Sequence, residues 1–323
     1  MTLSKLAQLA NVSVSVVSKA FSGREDISDA MREHVFAVAR QNGCFQQFYH
    51  APYDKPVVAV IIPEAISQFY IHYIEILKKS MEKNGYTMLL SISNFDRQLT
   101  DELVRYYTMH GKVDGLILIS AANRLPSSST AAIISLNVEC ESNIGACIVR
   151  DLKSGIASAL QYLKENGHTR VAYVGEALTA SKIELLTEEM HELDLEFRRE
   201  WIITSRLRFE EAGRDGVRRL LELSEKPTAI IGAYGYITQG ILAELSELGI
   251  RVPQDMSVLS LDNDPFPLSS CLDVACVPSG IEKMCDMAMR LLGERIGSSH
   301  PNEPCRIALP TAFYVGNTVK CLN

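Results

Sequence analysis

The sequence predicts an α/β chain: a small three-helix head followed by a body built on two doubly wound parallel sheets. Three observations predict it. Residues 1–42 place their apolar side chains only at helical spacing. From Pro56 onward, short apolar runs alternate with amphipathic stretches, which is the pattern of parallel strands covered by helices. That alternation recurs often enough for two sheets, and a length of 323 residues suggests two or three domains.

In the head, Thr2 can cap a helix whose apolar positions are Leu3, Leu6, Ala7 and Ala10. Asn11 can end it in a tight turn that Val12 pins to the core. Ser13 caps a second helix with Val16, Val17 and Ala20 inward. Its other face carries Val14, Ser15, Ser18, Lys19 and Ser22, all small or positively charged. A third helix runs from Ile27 to Asn42, with Ser28 in capping position and Val35, Val38 and Ala39 inward. Two short helices joined by a tight turn, the second with a slim polar face, make a helix-turn-helix that fits a major groove. The first twenty-four residues hold Lys5, Lys19 and Arg24 and no acid, which suits phosphate contact. The plain alternative is an ordinary helical hairpin.

In the body, VVAVII (57–62) is a strand, Phe69 to Lys83 a helix stopped at Asn84-Gly85, and YTMLLSI (86–92) a second strand. A helix from Thr100 to His110 and the strand DGLILIS (114–120) follow, then the strand AIISL (132–136). The series resumes with a helix over Leu152–Asn166, the strand RVAYVG (170–175), and TAIIGA (228–233). Last come the helix Tyr236–Leu248, closed by Gly249, and the strand SVLSL (257–261).

Composition narrows the class. With 47% hydrophobic and 22% charged residues, the chain reads as a globular protein. No apolar run reaches the ~18 residues of a membrane span. No basic stretch leads into a hydrophobic core at the N-terminus, so a cytoplasmic protein with no membrane partner is expected. The cysteines at 44, 140, 147, 271, 276, 285, 305 and 321 form no C-x-x-C pair, and buried free thiols are expected. Net charge is −7, yet residues 1–55 hold six Lys/Arg against five acids, so the acidity lies in the body.

Enzyme signatures are missing. The glycines at 232, 235 and 240 do not form G-x-G-x-x-G, and neither G-x-x-x-x-G-K-[ST] nor G-x-S-x-G occurs. His191 in EEMHELDLE does not make H-E-x-x-H, and that acidic run reads as a solvated helix face. No cofactor or metal is expected. A soluble α/β enzyme and an exported solute-binding protein are the alternative classes. The latter would need an export signal in place of the head.

The segment T-L-S-K-L-A-Q-L-A-N-V-S-V-S-V-V-S-K-A-F-S-G resembles, without a gap, the opening of the lactose/galactose-repressor (LacI/GalR) family. ENGHTRVAYVG resembles that family's L-G-H-x-R-I-A-F-I-G. The stretch from Pro227 to Asn263 resembles its P-T-A-I-F-A…V-P-x-D-V-S-V-x-G-F-D-D, and ALPTAFYVGNT its L-P-x-x-L-V-x-R-x-S, with Gly316 at the arginine. The resemblance implies a sequence-specific transcriptional regulator, a repressor, acting as a homodimer on a pseudo-palindromic double-stranded DNA operator and modulated by a small-molecule effector. It implies a helix-turn-helix domain at 1–44, a linker at 45–56 and a periplasmic-binding-protein-like body at 57–323. Lobe 1 would cover about 57–148 and 277–304, and lobe 2 about 149–276 and 305–323. Thr2, Leu3, Ser13, Val14, Ser15, Val16, Ser18, Lys19, Ser22 and Ser28 are the expected DNA-binding residues. Val14, Ser15 and Lys19 would read bases: Val14 can meet a thymine methyl and Lys19 a guanine or phosphate.

Ligands of open parallel sheets settle at the carboxyl ends of strands. By resemblance Asp262, Asn137, Phe69, Tyr70, Lys182 and Tyr234 are the expected effector-binding residues, a strand-terminal cap or core aromatic being the plain alternative for each. The chain also departs from the family. Tyr234-Gly235 stands where Asn-Asp is usual, Asp151-Leu152 loses an Asn, and only Lys182 falls near the usual Arg, with Glu184 beside it. AANRLPSSSTA is too short for the intervening helix. Either the ligand is not a typical sugar or the pocket has lost ligand binding. In the linker CFQQFYHAPYDKP, Pro52 opposes a regular hinge helix at a cost of about 3 kcal/mol. Phe48 and Tyr49 could wedge between bases or pack on the head or lobe. Ile71, Ile74 and Leu77 on one helix and Met284, Met287 and Leu291 on a late one are expected to be spare apolar positions for dimerisation.

Overall fold

A computed structural model of the chain describes residues 1–22, 26–48, 55–110, 113–126, 129–137, 145–263, 272–298 and 300–322. The chain divides into two compact units, Met1–Val149 with Ile281–Ile307 and Arg150–Gly280 with Ala308–Asn323.

The head comprises α1 (Leu3–Leu9), α2 (Val14–Phe21), α3 (Asp29–Gln41) and the single turn α4 (Phe45–Phe48). Each long helix starts on a hydroxyl cap: Thr2 accepts from the Lys5 amide, Ser13 from Val16 and Ser28 from Met31. Asn11 takes the left-handed conformation (φ 52°) that the tight turn between α1 and α2 needs, and Asn tolerates it better than most residues. Leu6, Ala7, Val17, Ala20, Val35, Phe36 and Ala39 form the core. Leu3 lies outside that core and is exposed, while Val16 and Val38 are half-buried at its edge. Phe45 stacks edge-on against Phe36 at 5.1 Å, and Phe48 sits 5.7 Å from Phe21. Packing of the head therefore runs on to Phe48, beyond residue 44.

The body begins with β1 (Val57–Ile62), α5 (Gln68–Lys83), β2 (Thr87–Ile92) and α6 (Arg97–Arg105), which continues as a π-helical turn over Tyr106–His110. The helix starts three residues before the expected Thr100 because the Asp96 carboxylate caps the amides of Gln98 and Leu99. β3 (Gly115–Leu118), β4 (Ala132–Leu136) and β5 (Ala146–Asp151) follow, with no helix between β3 and β4 among the described residues. The second unit holds α7 (Leu152–Glu165), β6 (Val171–Glu176), α8 (Ala180–Glu192), β7 (Ile202–Ser205), α9 (Phe209–Glu222), β8 (Ala229–Gly232), α10 (Gly235–Glu247), β9 (Ser257–Leu261) and β10 (Ala275–Val277). The chain then returns through α11 (Ile281–Arg295) and β11 (Cys305–Pro310).

The first sheet has the order β11-β5-β4-β3-β1-β2, and the second β10-β9-β8-β6-β7. Pairs from β1 to β5 and all pairs of the second sheet are parallel. Such strands are covered on both faces, so β1, β3, β4, β6, β8 and β9 are buried along their whole length.

Several expectations need correcting. Leu77, Met284 and Leu291 are not spare surface residues. They are buried, and the Tyr73 hydroxyl reaches the Met284 sulfur where α5 and α11 pack. Ile71, Ile74 and Met287 remain half-buried. The acidic run of α8 is not wholly solvated either: Glu189 and Met190 are buried, and Lys153 pairs with Glu188, Glu189 and Glu192. Cys44, Cys276 and Cys285 are buried free thiols, Cys147 and Cys305 are half-buried, and Cys321 is exposed. Cys140, Cys271, Tyr49 and Pro52 lie outside the described residues, and with the last two goes the hinge helix.

Candidate nucleic-acid interface and ligand site

Helix α2 buries Val17, Ala20 and Phe21 and leaves Ser13, Val14, Ser15, Ser18 and Ser22 exposed. The small residues let this face approach another surface closely, and Val14 is an exposed methyl-bearing side chain on it. Thr2 and Leu3 are exposed at the start of α1, and Ser28 at the start of α3. Thr2, Ser13 and Ser28 use their hydroxyl lone pairs for capping, so each doubles as a structural residue. Lys19, at the end of α2, is paired with Asp26 at 2.6 Å. Nothing in the sequence pattern pointed to that partner, because Asp26 lies outside the helix-turn-helix itself.

In the first unit, Phe69 and Tyr70 stand on the opening turn of α5 with their rings edge-to-face at 5.1 Å, and Tyr70 also meets Phe95. Asn137 ends β4 in a left-handed conformation (φ 55°), is exposed, and donates its amide to the Ile148 carbonyl.

The second unit draws Asp262, Lys182 and Tyr234 together at the carboxyl ends of its strands. Asp262 follows β9 directly, in a left-handed conformation (φ 46°) that aims its carboxylate inward. One oxygen pairs with the Arg150 guanidinium at the end of β5, and the other takes the Lys182 ammonium from α8. All three side chains are buried or nearly so, at 7%, 4% and 13% exposure for Asp262, Arg150 and Lys182. Lys182 also donates to the Ala233 carbonyl at 2.7 Å, just past β8. Burial pushes the Asp262 pKa up, but the charges of Arg150 and Lys182 outweigh it and hold the carboxyl at about 2. Burial lowers the Lys182 pKa, and Asp262 pulls against that shift.

Beside this triad, the Tyr234 hydroxyl donates to Glu176 at 2.7 Å, and Arg208 donates to the other Glu176 oxygen at 3.3 Å. Burial and then the Glu176 carboxylate raise the Tyr234 pKa, so it stays a neutral donor. Arg150 and Glu176 were not singled out in the sequence. Glu176 is a lone charge ending the apolar strand β6, and Arg150 follows the apolar run of β5 one residue before its end; those charges are the signal that could have found them. Both carboxylates are thus engaged by the protein's own donors. Each Asp262 oxygen faces one buried cation and keeps further lone-pair capacity. Among the described residues no group of three or more His, Cys, Asp or Glu is arranged to hold a metal ion.

Residues 160–319 match the periplasmic binding protein-like domain family. Catabolite control protein A of Priestia megaterium is 26% identical over 95% of this chain and 97% of its own length. The ribose operon repressor of Haemophilus influenzae is 23% identical over 96% of each. Among solved structures, the Lac repressor dimer bound to operator and the anti-inducer ONPF superposes over 99% of both chains with a TM-score of 0.67 at 18% identity. These likenesses run over nearly the full length of the chain and agree with the sequence motifs that resemble the LacI/GalR family of transcriptional regulators.

Proposed function

We propose that the chain is a sequence-specific DNA-binding repressor of transcription, acting in the cytoplasm as a homodimer on a pseudo-palindromic operator and not as an enzyme. One observation carries the reading: a head with a small-residued, acid-free exposed face on α2 is joined to a two-sheet body, and relatives alike over almost their whole length are named as repressors. The Lac repressor neighbour is itself an operator-bound dimer. A single recognition helix reads too few base pairs to select one genomic site, and two-fold pairing doubles the site.

Base readout is assigned to Val14, Ser15 and Lys19, with Thr2, Leu3, Ser13, Val16, Ser18, Ser22 and Ser28 positioning the head on the backbone. Effector contacts are assigned to Asp262, Lys182 and Tyr234 at the strand ends of the second unit, and to Asn137, Phe69 and Tyr70 in the first unit. No helix among the described residues is long and apolar enough to cross a membrane. The test is to incubate purified protein with sheared genomic DNA of its source and sequence the retained fragments. Recovery of a shared inverted repeat upstream of genes is expected. Retention of random fragments with no common motif would refute sequence-specific binding.

A further inference from the structure

The charge triad of the second unit does more than fill a ligand site. Arg150 is the first residue of that unit after the chain leaves the first, and Pro278–Gly280 is the last stretch before it returns. The Arg150 guanidinium donates to the Pro278 carbonyl at 3.2 Å through the same Nη1 that pairs with Asp262. Its aliphatic stem passes over Gly280, where a Cβ would lie 3.6 Å from the Arg150 Cδ. One buried side chain therefore ties together both crossover segments and the end of β9. Lys182 extends the tie to α8 and, through Ala233, to the end of β8.

We propose that Arg150–Asp262–Lys182 is an ion-pair latch on the two crossover segments, with Asp262 serving as its built-in anion. The latch does not depend on the repressor reading above. The physical argument is one of charge. Two buried cations need an anion between them, and removing it leaves like charges uncompensated in a dry site. A neutral polyol offers hydroxyls but no charge, so it cannot take the place of the carboxylate. Arg150 is thus a positioning residue for the crossover segments. The left-handed backbone of Asp262 fits this role. It is a conformation that costs most side chains energy, and here it delivers the carboxylate to both cations.

The test is hydrogen–deuterium exchange on the full-length protein, with residues 146–151 and 275–281 as the reporting segments. Asp262→Gly removes the anion while tolerating the positive φ. Exchange in the two segments is expected to rise by about tenfold or more, with the head unchanged. Formate, compared with chloride at equal ionic strength, is expected to restore protection. An increase spread evenly over the chain, no increase, or formate acting no better than chloride would each overturn the latch. If Asp262→Gly does not fold, a cycle of Asp262→Asn, Arg150→Met and the double variant replaces it. Non-additive losses of melting temperature support the latch, and additive losses refute it. None of these readouts uses DNA, so they separate the latch from the repressor reading.

Discussion

Lys19 and Asp26 are ion-paired in the head, 2.6 Å apart, with the lysine at the end of the helix assigned to base readout. The pair is half-exposed, at 35% and 52%, which puts its worth at no more than about 1 kcal/mol. A lysine contact to a base edge or phosphate is worth roughly 1–3 kcal/mol. The DNA contact is the stronger of the two, so DNA draws Lys19 away from Asp26. Lys19→Ala is expected to weaken operator binding by roughly 1–3 kcal/mol at matched salt. Asp26→Asn is expected to tighten it severalfold, most at low salt, because a competing acid is gone. Fluorescence anisotropy with a labelled operator measures both, and an Asp26→Asn variant that binds more weakly would contradict the competition.

His168 gives the second unit an acid-sensitive point. Its buried ring bridges the Thr228 hydroxyl at 2.9 Å and the Lys320 carbonyl at 3.0 Å, with Ser257 beside it. Burial lowers its pKa below the ordinary 6.5. Below pH 6.5 the unfolded chain takes up a proton that the folded ring resists, so stability falls as pH drops from 6.5 toward the lowered value. The slope for one group is at most about 1.4 kcal/mol per pH unit. Denaturant melts between about pH 7.5 and 5 should show this loss, and His168→Gln should flatten it. An unchanged slope in the variant would place the acid sensitivity elsewhere.

Legibility in the sequence followed the physics of each segment. β1, β4 and β9 were plain because strands buried on both faces must be continuous apolar runs. α9 was not, because RFEEAGRDGVRRLLE is polar on most of its surface, and Arg214 and Arg218 clasp Glu244 on α10, a partner 26 or more residues away. The glycines that failed as a phosphate loop have a packing role instead. A Cβ at Gly240 would lie 2.0 Å from the Glu210 carbonyl oxygen, and one at Gly213 2.1 Å from that of Ile237. At the strand ends of the second unit, the resemblance pointed to Asp262, Lys182 and Tyr234, which the structure brings together. The sequence could not show that Arg150 had taken the carboxylate, since that contact joins residues far apart along the chain.

The glycine contact between α9 and α10 leads to a third prediction. The two helices touch backbone to backbone, so no side chain can swing aside for a methyl group. Gly240→Ala, normally a gain in helix propensity of about 1 kcal/mol, should instead destabilise the protein, by about 1–3 kcal/mol or more. Gly249→Ala is not a fair control, because its φ is +73°. Gly293 is one, lying in α11 with only the Tyr86 hydroxyl near, at 3.7 Å. Thermal melts should show Gly240→Ala falling well below the parent while Gly293→Ala does not. Equal melting temperatures for all three proteins would mean the helices can separate cheaply.

The last prediction concerns the homodimer. Among the described residues β2 is an edge strand paired with β1 alone, and Leu90 and Ile92, two residues apart and so on one face, are 40% and 41% exposed. The neighbouring π-helical turn is tied to this strand by a 2.7 Å hydrogen bond between the Ser91 and Tyr107 hydroxyls, and it exposes Tyr106 and Met109. An apolar edge left open to water invites pairing with other chains, and proteins that keep such an edge cover it. In the proposed homodimer this edge, with the half-buried Ile71 and Ile74 of α5, is the surface that is covered. The full-length protein should therefore sediment as a dimer at micromolar concentration. Leu90→Lys with Ile92→Lys should shift it to monomer without lowering its melting temperature at low concentration, because neither side chain is in the core. Operator affinity should fall with it, since two heads held together bind two half-sites as one event. A double-lysine variant that still sediments as a dimer would place the interface on another face.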